Sequence, residues 1–164
     1  MSDYDKVSQL KSVVSIVPAV LDADNTPIAV DTLNWRSATV EIVVGAGGIT
    51  FSGTNKVEFK LTHSDDDSTY TAVTDDDVIM PYGETIAANG DLGIVYALVA
   101  AHASADSEAT KIGYIGKMRY IKLLADFSGT HGAGTPIAAN VILGDPLHAP
   151  GDQGNYDDSH SESF

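Results

Sequence analysis

The chain has 164 residues, 43% of them apolar, which suits one globular domain with short terminal segments. Its 9 Lys and Arg residues against 23 Asp and Glu residues give a net charge of −14. This charge disfavours nucleic-acid and membrane partners, because proteins bind anionic nucleic acids and anionic membranes through basic side chains. The absence of cysteine excludes disulfides, thiolate metal sites and cysteine nucleophiles.

The two ends of the chain differ in composition from its middle. Residues 1–11 are polar, with one tyrosine and two aliphatic residues, which predicts an arm that is flexible or bound to a partner. Residues 151–164 contain Gly, Asp and Ser but no aliphatic residue, which predicts an acidic flexible tail. We therefore place one domain at 12–150 and expect no boundary within it.

Short apolar or alternating segments separated by Gly, Asn and Asp dominate that domain. The clearest alternation is at 56–63, where Val57, Phe59 and Leu61 share one side, and the polar residues at 64–68 then predict a hairpin. About eight strands at roughly ten-residue spacing predict a single antiparallel β-sandwich of jelly-roll type. The predicted strands cover 13–17, 28–30, 38–44, 49–51, 56–63, 69–73, 91–101, 117–127 and 137–143, although a short helix also fits 91–101.

Two triple-aspartate clusters, Asp65–Asp67 and Asp75–Asp77, lie at opposite ends of one predicted strand. Oxygen-rich loops bind calcium, but clusters at opposite ends of a strand do not converge on one ion. We interpret both as turns, in which aspartate accepts hydrogen bonds from its own backbone.

Five histidines show neither H-x-H nor H-E-x-x-H spacing, and the sequence predicts no cofactor. A metal site assembled in space from His and Asp, in a small β-fold enzyme, stays open as an alternative. The histidines are His63, His102, His131, His148 and His160.

Aromatic and basic residues mark the candidate contact surfaces. Trp35, the only tryptophan, fits equally a core position at a strand start and an exposed stacking platform. The segment 113–122, GYIGKMRYIK, is the one locally basic stretch and indicates a sheet face or a subunit contact. The candidate interface residues are Tyr4, Leu10, Trp35, Tyr114, Arg119 and Tyr120.

Two stretches resemble a known family. HSDDDSTYTAVTDDDV (63–78) is similar to a strand–turn–strand signature, and 113–150 is similar to a C-terminal pattern of Gly-Tyr, a basic pair with Tyr, and Gly-Thr-Pro. Both resemble small virion proteins of tailed bacteriophages and gene-transfer-agent-like particles, of the head decoration or head spike-base type. The chain departs from the pattern at Asp67 and Lys117, where glycine is common.

The resemblance implies a non-enzymatic virion protein on the outer surface of a phage head, made in the bacterial cytoplasm. The implied partners are the major capsid protein, other copies of the chain in a trimer or pentamer, and a spike or fibre protein. The alternative is a carbohydrate-binding β-sandwich that acts in host or surface adhesion, with Trp35 and tyrosines as stacking platforms.

The acidic residues are unevenly distributed along the chain. Residues 22–91 hold thirteen acidic and three basic residues, a balance of 3 − 13 = −10, whereas 92–150 hold four of each. We therefore expect the neutral C-terminal half to supply the packing surface.

Overall fold

The computed structural model describes residues 6–46, 50–83, 85–86, 92–99 and 108–148. Two antiparallel sheets pack against each other, so the prediction of an all-β sandwich is confirmed. The strands are β1 (Leu10–Leu21), β2 (Val30–Asp31), β3 (Trp35–Val44), β4 (Lys56–Ser64), β5 (Thr71–Ala72), β6 (Val78–Ile79), β7 (Ile94–Leu98), β8 (Glu108–Tyr114), β9 (Tyr120–Ser128) and β10 (Thr135–Pro146). Three 3₁₀ turns lie at Val7–Gln9, Asp75–Asp77 and Pro81–Gly83.

Strand order places distant parts of the chain side by side. The first sheet has the order β1-β10-β3-β8-β6, and the second has the order β2-β9-β4-β5, with β7 also paired to β4. The two longest strands, β1 and β10, are neighbours although they come from opposite ends of the described chain. The first strand, β1, is thereby fixed to the last, β10.

Alternation along the long strands builds the core. In β10, every second residue from Thr135 to Leu143 is buried, and the residues between them are only half-buried. In β4, Val57, Phe59 and Leu61 are fully buried while the residues between them point outward. One apolar set from each sheet therefore fills the space between the sheets.

The hairpin predicted after β4 is confirmed, since Thr62 pairs with Ala72 and His63 with Thr71. The turn between them also forms as predicted: Asp66 accepts hydrogen bonds from the backbone N–H groups of Ser68 and Thr69, both at 2.9 Å. These bonds hold the pKa of Asp66 well below its usual value.

The second aspartate cluster forms a short 3₁₀ turn that begins with a capping box. The Asp77 carboxylate accepts hydrogen bonds from the backbone N–H of Thr74 at 2.9 Å and from the Thr74 hydroxyl at 2.8 Å. In both clusters a carboxylate thus accepts hydrogen bonds from nearby backbone N–H groups and stabilises a turn, as the sequence predicts.

Other segments differ from the sequence prediction. β8 was not predicted, because its inward positions are Thr110, Ile112 and Tyr114, with only one aliphatic residue among them. β1 starts at Leu10 and continues past Pro18 to Leu21, so it includes the last two residues of the predicted arm. The acidic tail and the predicted strand residue Ile49 lie outside the described residues.

Among the residues that the structure describes, no helix is long and apolar enough to cross a membrane.

Candidate functional site

The outer surface of the second sheet is covered by ion pairs. On β4, Lys56 contacts Glu58 at 2.5 Å, and Lys60 contacts Asp126 of β9 at 2.7 Å. Lys122 lies 3.4 Å from Asp67. Lys122 also lies over the Tyr70 ring, 3.9 Å from its centroid. Opposite charges thus neighbour one another across a hydrated surface, where each pair contributes little to stability.

The outer surface of the first sheet has a different chemistry, and we call it the apolar face. Its large exposed side chains include Val14 (43% exposed), Val20 (67%), Val43 (38%) and Ile79 (60%). The other outward residues along its strands are Leu10, Ser12, Ser37, Thr39, Glu41, Ala109, Lys111, Gly113, Pro136, Ala138, Asn140, Ile142 and Gly144. Exposed aliphatic groups gathered on one face of a sheet mark a candidate surface for protein contact.

Only two charged side chains are described within the apolar face. Glu41 and Lys111 are register partners on β3 and β8, and their carboxylate and ammonium groups lie 3.5 Å apart. Asp145 lies at the rim, where its carboxylate accepts a hydrogen bond from the Ser37 hydroxyl at 3.2 Å. The charge of this face therefore cancels at its centre, although the chain as a whole carries −14.

One corner of the apolar face contains a hollow of about 360 Å³. Val20 of β1 and Pro136 of β10 lie opposite each other there, and Val43 and Ala138 complete the adjoining row. The lining is almost wholly carbon, so an apolar side chain fits it better than a polar ligand does.

A second depression, which we call the tryptophan cleft, lies at one end of the sandwich. It has a volume of about 390 Å³ and combines one large aromatic ring with side chains of both charges. Its lining residues are Lys11, Asp31, Leu33, Asn34, Trp35, Pro146 and His148.

A tight turn places Trp35 at this cleft. The backbone N–H of Trp35 donates to the Thr32 carbonyl at 3.1 Å. Asn34 has a φ of +70°, a conformation that asparagine adopts more readily than most residues. Trp35 then opens β3 beside Pro146 and packs partly against the core.

Three hydrogen bonds hold Asp31 in the tryptophan cleft. Arg119 binds its carboxylate with two hydrogen bonds, from Nε to Oδ1 at 2.9 Å and from Nη2 to Oδ2 at 2.6 Å. The Leu33 backbone N–H also donates to Oδ1 at 2.9 Å. The bonds from Arg119 lower the pKa of Asp31, so this carboxylate stays ionised at neutral pH.

Comparison of the chain with protein-family models, curated proteins and solved structures found no match. What the apolar face and the tryptophan cleft can bind is therefore inferred from their own residues alone.

The structure separates the predicted interface residues. Leu10 is exposed on the apolar face, and Trp35 lines the tryptophan cleft. Arg119 lies beside that cleft through its pair with Asp31, and its guanidinium group is 4.8 Å from the centroid of the Tyr120 ring. Tyr4 lies outside the described residues.

Tyr114 is not a surface residue, and its assignment to an interface was wrong. Only 6% of it is exposed, and its hydroxyl donates to the Met118 carbonyl at 3.1 Å. The hydroxyl also lies 3.1 Å from Nδ1 of His63, which β4 contributes from the other sheet. Tyr114 therefore links the two sheets inside the molecule.

Sequence reasoning missed the apolar face, although a signal for it exists. The β3 segment ATVEIVV and the β10 segment IAANVIL carry aliphatic residues at both alternating positions, not only at those that face the core. Nor does the neutral C-terminal half alone supply the apolar face: β3 and β6 come from the acidic half, and β9 of the neutral half lies in the other sheet.

The histidines do not gather with acidic residues among the parts of the chain that the structure describes, where no group of three or more metal-ligating side chains occurs. His63 lies against Tyr114, Nε2 of His131 lies 2.7 Å from the Ser128 carbonyl, and His148 lines the tryptophan cleft. His102 and His160 lie outside the described residues.

Proposed function

We propose that the chain is a non-enzymatic structural protein of a phage virion, on the head exterior, as a decoration protein or as the base of a spike or fibre. The observation that carries this proposal is the division of the surface into an ion-paired side and an apolar face. A protein that works by assembly needs one side that stays hydrated and another that binds protein. The resemblance of the sequence to head proteins is the reason for proposing a phage head as the particle and the major capsid protein as the partner.

The strand order supports the finer inference of a jelly roll. From β1 to β4, consecutive strands alternate between the two sheets. After the short strands, β8 and β10 return to the first sheet and β9 to the second. This interleaving is typical of double-sheet folds built from Greek keys.

The head-binding test uses empty heads of a phage whose genome encodes this chain. We expect the purified protein to cosediment with the heads in a sucrose gradient and to saturate them at a fixed number of copies. Mass spectrometry of purified particles should detect the chain. Failure of both measurements contradicts the proposal.

A pair of variants relates that result to the apolar face. Val43→Glu combined with Ala138→Glu places two like charges on register partners of β3 and β10, and should lower head occupancy at least about tenfold by opposing assembly on the particle. Thr62→Glu adds a charge to the ion-paired side and should leave head occupancy within about twofold of that of the wild-type protein.

The tryptophan cleft favours a second candidate function, the binding of carbohydrate. Trp35 offers an aromatic surface for a sugar ring, Asp31 is a fixed acceptor for sugar hydroxyls, and Lys11 faces them from β1. An aromatic platform with a few placed polar groups is the usual build of a small-molecule site.

A glycan array with the purified chain tests this candidate. Trp35→Ala should abolish any glycan signal, because it removes the platform, whereas Trp35→Phe should retain part of it. Tyr120→Ala provides the matched control, since Tyr120 is a nearby aromatic residue outside the lining of the cleft. No signal from the original protein, or equal signals from all variants, removes carbohydrate binding as a function.

A further inference from the structure

We propose that a second copy of this chain packs on the apolar face, so that the protein self-associates sheet to sheet. The inference deepens the proposed function, on which it rests, by naming the occupant of this face. The major capsid protein, the other partner available to a head protein, becomes an outcome of the test.

The charge of the apolar face allows a second copy to approach it. Two chains of −14 repel each other wherever their acidic loops meet, and the repulsion is weakest where a surface carries no net charge. On the apolar face, Glu41 and Lys111 cancel. Each copy also presents one carboxylate and one ammonium group, so two faces can exchange partners without leaving a charge unpaired.

The area of the face is sufficient for a stable pair. Strands lie about 4.8 Å apart and rise about 3.3 Å per residue, so four strands by nine residues cover about 600 Å². Two copies would then bury about 1,200 Å², which reaches the range of specific protein interfaces. Val14, Val20 and Val43 supply exposed aliphatic groups for such a contact.

The irregular middle of β1 indicates contact through side chains and not through backbone pairing. β1 is one of the two edge strands of the first sheet, and a regular open edge could add a strand from another copy. Its register shifts between Val14 and Ile16 and again between Ile16 and Ala19, and Pro18 offers no N–H. These features interrupt a backbone ladder but leave Val20 beside the apolar hollow, where a side chain of the second copy can insert.

Two charge variants test the pairing directly. Glu41→Lys gives the apolar face two positive charges, and Lys111→Glu gives it two negative charges. Sedimentation velocity and native mass spectrometry of the full chain at about 0.15 M salt, where long-range repulsion is screened, should show self-association of the original protein. Each variant alone should weaken that association at least about tenfold, because like charges then face each other.

An equimolar mixture of the two variants distinguishes this interface from all others. The +2 face of one variant complements the −2 face of the other, so mixing should restore association to within about threefold of the original, as a one-to-one complex of the two variants. The matched controls are two single variants, Glu58→Lys and Lys60→Glu, on the ion-paired side of β4. Each of them alone, and their equimolar mixture, should associate as strongly as the wild-type protein.

Three results overturn the inference: a monomeric original protein at about 100 μM, association that neither variant weakens, or a mixture that stays dissociated. Far-ultraviolet circular dichroism of both variants confirms that they are folded, and Lys111 is exposed enough to tolerate the change. If the chain binds empty heads but remains monomeric at the same concentrations, the proposed function stands and the self-pairing fails.

Discussion

Replacing Phe59 with alanine is expected to lower the free energy of unfolding by about 3–5 kcal/mol, the range for removing a large aromatic side chain from a core. Phe59 is fully buried in β4. Its register partners are Ala125 of β9 and Tyr96 of β7. It stacks on the Tyr96 ring with 5.7 Å between centroids, a contact that alanine cannot make. Urea or guanidinium titration at neutral pH measures the loss.

Val43→Ala is the control for that prediction. Val43 lies on the apolar face and is 38% exposed, so its truncation should cost the monomer less than about 1 kcal/mol. If Phe59→Ala and Val43→Ala cost the same, Phe59 is not a core residue and the packing of β4 between β7 and β9 is wrong. Both titrations should be run at micromolar concentration, so that self-association does not add to the measured stability.

The alternation of apolar and polar residues predicts the burial of Phe59 but not that of Tyr114. Three large aliphatic or aromatic residues at every second position fix the inward side of β4, because a shift of one residue would place all of them in water. β8 offers only Ile112 and Tyr114 in that role, and its outward residues are Lys111 and Gly113. The same residues are equally typical of a basic surface stretch. For this reason the sequence does not predict the strand, and it favours an interface position for Tyr114.

The candidate sites depended on pairings that no local pattern contains. The apolar face joins β1 to β10 and β10 to β3, so Val14, Asn140 and Glu41 share a row although they are far apart in sequence. The tryptophan cleft likewise joins Lys11 to Asp31 and His148. Trp35 could be identified as a candidate from its type alone, but its neighbours followed only from the strand order.

Tyr114→Phe is expected to lower the free energy of unfolding by about 1–3 kcal/mol, because it leaves the buried His63 ring and the part-buried Met118 carbonyl without their partner. The Tyr114 hydroxyl donates to the Met118 carbonyl, which leaves its oxygen to accept a hydrogen bond from Nδ1–H of His63. The substitution keeps the ring and its packing, so the loss reports the hydrogen bonds between the sheets. Chemical denaturation at pH 8 measures it.

The same variant should change the response to alkali. Burial raises the pKa of Tyr114 to about 12, and the carboxylates of Asp77 and Asp65 add to this effect. An unfolded tyrosine ionises near a pKa of about 10, so the unfolded state loses its proton first. The contribution of Tyr114 is therefore fully present below about pH 10 and is lost as the pH rises toward 12.

The stability gap between the original protein and Tyr114→Phe should accordingly be wider at pH 8 than at pH 11.5. Tyr70, whose pKa burial also raises, is present in both proteins and adds the same alkaline dependence to each. Tyr120→Phe serves as control, since Tyr120 is only half-buried at the start of β9, and it should stay within about 0.5 kcal/mol of the original. An equal gap at the two pH values would mean that Tyr114 ionises as easily folded as unfolded, which a hydroxyl enclosed between two sheets cannot do.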